Sequence, residues 1–183
     1  MNIHQLSVHH DERQDRLLLR LNTKDQQEFR FWLTRRMTLR LLPAIQQSTV
    51  RLESAQPGVA ATDAPAQHLL TELKRDAFLQ QADFATPFDN HATQWPLGVE
   101  PLLITDAHLT IKPGGALEMA FEDKSDAAQV RSCQLHLQVS LVHGMVHLIR
   151  QASEKAKWGL LGTPAIATEA SPAATSEPPL YRH

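Results

Sequence analysis

The chain has 183 residues, enough for one substantial domain, and its 42% hydrophobic and 21% charged content is that of an ordinary globular protein. A net charge of −2 and a pI near 6.5 argue against a protein devoted to nucleic acid, which carries a basic excess. The single cysteine, Cys133, excludes an internal disulfide, and no apolar run approaches the roughly 20 residues of a membrane helix. The first residues, MNIHQLSVHHDERQD, hold no basic segment followed by an apolar one, so a cytoplasmic location is expected. Charge is unevenly spread. Residues 1–51 hold nine Lys and Arg against five Asp and Glu, and the remainder holds nine against fifteen.

Ile3–Val8 alternates well enough for a short strand, and His9–Arg13 is a polar turn. Asp15–Leu21 predicts a second strand with Leu17, Leu19 and Leu21 on one face and Arg16, Leu18 and Arg20 on the other. Gln27–Leu33 predicts a third. Phe29, Phe31 and Leu33 share its core face, and Glu28, Arg30 and Trp32 its outer face. Thr34 is placed to cap a helix from Arg35 to about Ser48, with Met37, Leu41, Ala44 and Ile45 as its stripe. Pro43 should loosen that helix. Two arginines in its first turn oppose the helix dipole, which suggests an acidic partner for them.

Ser54–Pro65 is a small-residue linker. Asp63 can cap a helix over about Ala66–Asp83, striped by Leu69, Leu70, Leu73 and Ala77. Ala85–Gly98 reads as an irregular connection whose Phe88 and Trp95 tuck onto the core. Leu102–Lys112 and Ala116–Glu122 flank Pro113-Gly114-Gly115, a hairpin signal because glycine reaches positive φ without a Cβ clash. Val130–Val139 alternates next, with Cys133 as a small core hydrophobe. Ser140 is placed to cap a helix over Leu141–Trp158. Its expected core face is Leu141, Met145, Leu148 and Ala152, with His143, His147, Arg150 and Glu154 opposite.

Glu28–Thr34 laid over Gln134–Ser140, an offset of 106, matches Phe29, Phe31 and Leu33 to Leu135, Leu137 and Val139. The expected fold is therefore α+β, with two antiparallel β-β-β-α repeats in a pseudo-twofold relation. One globular domain, residues 1–162, comprises repeat one (1–50), a connecting helix region (51–99) and repeat two (100–162). Residues 163–183, rich in Ala, Pro, Ser, Thr and Glu, cannot bury enough apolar surface to offset ordering and are expected to be a disordered tail.

The run QDRLLLRLNT…EFRFWLTRR at residues 14–36 resembles a proteobacterial family that carries similar QDRLLLR and WLTRR segments near its N-terminus. That resemblance implies a bacterial cytosol and no particular chemistry. At the level of topology alone, the strand-strand-strand-helix order is similar to the repeats of Whirly-type single-stranded nucleic-acid binders. Those have four strands per repeat where three are counted here, and their lysine-containing sheet motif is not seen.

No catalytic motif or phosphate loop stands out. Ser140 lies near His143 without a nucleophile elbow, so no enzyme is expected. His143 and His147 have the i, i+4 spacing of metal ligands, but Gly144 stands where a metalloprotease helix carries glutamate. His9 and His10 lack further ligands. No metal or cofactor is expected. The informative surface is Arg16, Arg20, Arg30 and Trp32 on one sheet face, with Leu18 among them and Arg36 and Arg40 beyond. Arginine and aromatic residues are enriched at interfaces. The expectation is a non-enzymatic interaction module for an acidic protein partner or a second copy; the alternative is single-stranded nucleic acid, held by arginine and stacked on tryptophan.

Overall fold

The computed structural model describes residues 2–55 and 63–159. In chain order the elements are β1 (Ile3–Asp11), β2 (Arg16–Thr23), β3 (Glu28–Thr34), α1 (Arg35–Ser54), α2 (Ala64–Gln81), β4 (Leu102–Leu103), β5 (Asp106–Lys112), β6 (Ala116–Asp123), β7 (Arg131–Gln138) and α3 (Val139–Lys155). The fold is α+β, as expected; three strands precede α1, and four, the first of them only two residues long, precede α3. The tail expected at 163–183 and most of the linker Ser54–Pro65 lie outside the described residues.

The first sheet has the order β1-β2-β3-β4 and the second β5-β6-β7. Antiparallel register sets Leu17 opposite Leu33, Leu19 opposite Phe31 and Leu21 opposite Phe29. In the second sheet Leu117 lies opposite Leu137 and Met119 opposite Leu135. All ten are buried, as the two-residue alternation demands. Burying each such side chain contributes about 1.5–3 kcal/mol. The two inner faces meet where the Phe31 and Phe121 rings pack edge to face, centroids 5.4 Å apart.

The turns use the conformations their residues allow. Gly114 and Gly115 adopt φ of 94° and 83° in the β5–β6 hairpin. The expected strand over Leu102–Lys112 is split. Leu102 and Leu103 run parallel to β3, and Ile104 donates its N–H to the Trp32 carbonyl at 3.0 Å. The next residue, Thr105, donates to the Glu122 carbonyl of β6 at 2.9 Å. One extended segment thus steps from the first sheet to the second.

The helices exchange partners. α1, which follows the first sheet, packs over β5 and β6, while α3, which follows the second, packs over β1 and β2. α2 rests on α1 and α3 and has no buried residue. Thr34 caps α1 as expected, its hydroxyl accepting from the Met37 N–H at 3.2 Å, and Asp63 caps α2 at Ala66. Ser140 does not cap α3. The helix begins earlier, at Val139, with Gln138 before it and no side-chain cap. α1 runs past its expected end near Ser48 to Ser54, and Pro43 stands inside it. The expected stripe of α2 is divided: Leu69 and Leu73 are exposed, while Leu70 and Phe78 are half-buried.

Two polar links hold the sheets' ends. At the first, the Trp158 indole, buried just past α3, donates to Asp15 at 2.7 Å and stacks edge-on with His10. At the second, Asp123 accepts from Arg131 at 2.8 Å, from the Leu103 N–H at 3.2 Å and from Ser125. Burial works to raise the Asp123 pKa, but the hydrogen bonds from Ser125 and Arg131 outweigh it and lower it from 3.8 to about 2. Because the folded value lies below the unfolded one, this contribution is complete above about pH 4 and is lost as pH falls towards 2. Asp123→Ala is expected to cost about 2 kcal/mol at neutral pH and much less near pH 2. Urea unfolding at the two pH values checks this.

Candidate binding face

Strand alternation places a second set of residues on the outer side of the first sheet. Cross-strand register orders them in rows. Asp11, Arg16 and Thr34 form one, and His9, Leu18, Trp32 and Leu103 the next. Below them come Ser7, Arg20 and Arg30, then Asn22 and Glu28 with Gln5. The expected grouping of Arg16, Arg20, Arg30 and Trp32 on one face is therefore present in the backbone.

The chain itself crosses the lower two rows. The segment after α2 runs over them as an irregular arm. Gln5 donates to the Pro87 carbonyl at 3.3 Å and accepts from the Asp89 N–H at 2.8 Å. Asn22 donates to the Asp89 carbonyl, and Glu28 N–H to the Gln94 carbonyl at 2.9 Å. Arg20 donates to Asn90 at 2.7 Å and lies 4.3 Å from the Phe88 ring centroid. The Arg30 guanidinium lies 5.7 Å from that of Trp95. Phe88 and Trp95 were expected on the core. They cover arginines instead, because a cation attracts the electron-rich ring face and the inner side is already filled.

Under the arm, Glu28 is 4% exposed. It accepts from Arg20 Nε at 2.6 Å, with Arg30 Nε at 3.7 Å. These two arginines thus neutralise a buried carboxylate, which needs such partners to remain charged. Arg20 and Arg30 are part of the fold's internal wiring. One sequence signal pointed to this: Glu28 and Arg30 share a face by alternation, and Arg20 stands on the neighbouring strand. The arm's own partners, Asn90 and Gln94, carried no such signal.

Among the described residues nothing crosses the upper rows. Leu18 and Trp32 are half-buried and opposite each other. Arg16 begins β2 beside Thr34, and Arg36 and Arg40 lie on the first two turns of α1. Among the described residues none of these three arginines has a carboxylate within ion-pair distance, although Asp11 is the register partner of Arg16. Arg36 and Arg40 flank a shallow cleft of about 170 Å³ floored by Leu103, Ile104 and Thr105. With no acidic residue in the first turn of α1, the helix dipole adds to this positive end.

The other candidates fall into structural roles. His9 is exposed on the outer face, whereas His10 turns inward to Asp15 and Trp158. Cys133 is half-buried, and desolvation raises its pKa to about 11, so its thiol is inert at neutral pH. His143 is not on a polar face of α3. It is buried against α1, with Nε2 3.2 Å from Glu53 Oε1, while His147 packs on the Phe84 ring. The correction follows from α3 being covered on several sides, by α1 and α2 as well as by the first sheet. Among the described residues no cluster of three or more His, Cys, Asp or Glu is arranged to hold a metal. No described helix is long and apolar enough to cross a membrane. Comparison of the chain with family models, with curated proteins and with solved structures gives no match in any of the three.

Proposed function

We propose that this protein is a non-enzymatic binding module of a bacterial cytosol that docks an acidic protein partner. The docking surface is the uncrossed part of the first sheet's outer face with the adjoining start of α1. The supporting observation is that Arg16, Arg36 and Arg40 lack carboxylate partners among the described residues, Arg16 lying on the strand face of half-buried Leu18, and Arg36 and Arg40 beside Leu103, the register neighbour of half-buried Trp32. Apolar side chains ringed by arginine are the composition of a partner surface. Arg20 and Arg30 support that surface from below by holding Glu28 and the arm. In this reading the two β-β-β-α halves are a pseudo-twofold repeat, and only the leading copy carries the arginines.

A second reading, single-stranded nucleic acid, is favoured by one observation. Trp95 is 41% exposed beside Arg30, so a second indole joins Trp32 on this side of the molecule. Fluorescence anisotropy with two labelled probes separates the readings: a peptide alternating glutamate with leucine, and a mixed-sequence single-stranded oligonucleotide. The peptide is expected to bind, and Arg16→Glu with Arg36→Glu and Arg40→Glu should weaken it by roughly tenfold or more. Peptide affinity unchanged in the triple variant refutes the assignment. Oligonucleotide binding alone, with a steep salt slope, transfers the surface to nucleic acid.

A further inference from the structure

Each sheet exposes edges, and an edge strand presents unpaired N–H and C=O groups that template another strand. Three of the four edges carry the devices that discourage such pairing. β1 has a register irregularity between Ile3 and Gln5. β4 is two residues long. β5 carries Asp106 and Lys112 at its ends and lies against α1. β7 differs. It is eight residues long and pairs with β6 in unbroken register from Arg131 to Gln138. It contains no proline or lysine, and its one charge, Arg131, is held by Asp123. Among the described residues, hydrogen bonds to its backbone come from β6 alone.

We propose that β7 pairs antiparallel with β7 of a second copy, joining two three-stranded sheets into one of six strands. The occupant must be an extended strand, because what the edge offers is backbone donors and acceptors. A second copy fits for three reasons. An antiparallel pair about a twofold axis is self-complementary by geometry. With Leu135 on the axis, the exposed row sets Gln134 opposite the partner's His136 and Ser132 opposite the partner's Gln138. All are polar and none carries a fixed charge, so no like charges meet. The same register brings Val130, 54% exposed just before β7, beside the start of the partner's α3. The chain's own last residues are a poorer occupant. Prolines at 164, 172, 178 and 179 cut them into proline-free runs, 165–171 being the longest, and proline cannot donate to a ladder. This surface is separate from the arginine face, so each proposal can fail alone.

Sedimentation equilibrium of the full chain over a concentration series tests it. The expected mass is twice the 20.5 kDa of one chain at high concentration. Gln134→Lys with His136→Lys puts lysine opposite lysine twice across the axis and is expected to weaken association about tenfold or more. Both positions are exposed, so circular dichroism should be unchanged. Gln134→Glu with His136→Lys puts opposite charges in the same places and should restore the dimer. The lysine introduced by the second substitution also faces Glu118, which His136 already approaches at 3.4 Å. A wild-type monomer at every concentration overturns the proposal. So does a dimer that ignores the paired lysines.

Discussion

Phe121→Ala is expected to destabilise the protein by about 3–5 kcal/mol. Phe121 is fully buried on β6 and stacks edge-on with Phe31 of β3, so its ring is where the inner faces of the two sheets touch. Truncation removes the transfer free energy of the ring and leaves a cavity that the sheets, held by their own hydrogen bonds, cannot close. Phe31→Ala should cost a similar amount. The double variant should fall short of the sum by about 0.5–1.5 kcal/mol, the share that belongs to the ring pair. Urea midpoints and slopes for the four proteins measure this. Strict additivity would mean that the sheets are stabilised separately and that the junction lies elsewhere.

The second large effect is at Glu53 and His143. Both are buried between the end of α1 and the start of α3, joined by one hydrogen bond of 3.2 Å. Glu53 Oε2 has no further partner among the described residues. Nearby, Thr71, His68 and Arg75 of α2 line a cavity of about 70 Å³ with His143. His143→Leu leaves the buried Glu53 side chain without its partner and should cost about 3–5 kcal/mol. Glu53→Met combined with His143→Leu removes both polar groups and fills similar volume. It should recover most of that loss, since desolvating two polar groups offsets much of what their attraction returns. Denaturant unfolding of the single and double variants decides the matter. A double variant no better than His143→Leu would show that the pair's geometry, and not its polarity, holds the helices.

Much of the fold was legible because burial repeats with the backbone's own period. Leu17, Leu19 and Leu21 against Phe29, Phe31 and Leu33 announce a hairpin with one wet and one dry side, and that is their register. Thr34 and Asp63 announce helix starts because a hydroxyl or carboxylate just before a helix satisfies an N–H that nothing else reaches. Legibility failed where polar residues are buried. Thr49 and Glu53 continue the four-residue spacing of Ile45 along α1, yet their polarity made the helix look finished near Ser48. His143 read as solvent-facing for the same reason. Its burial depends on Glu53, ninety residues away in sequence.

The candidate face divides along the same line. That Arg16, Leu18, Arg20, Arg30 and Trp32 share one side of a sheet follows from alternation alone. That the arm shields Arg20 and Arg30, and not Arg16, Arg36 or Arg40, does not, since the arm has no period to read.

The amino-acid sequence by itself determined the two hairpins, the caps of α1 and α2, the inward and outward side of β2, β3, β6 and β7 and the α+β class, because these depend on neighbours within a few residues. Only the tertiary structure decided that α1 covers the second sheet and α3 the first, that Leu102–Lys112 divides between sheets, and that an irregular arm closes over two arginines. An apolar stripe specifies that something must cover it and not which element does. The partner is chosen by shape and chain connectivity across the whole molecule, and those contacts join residues that no local pattern relates.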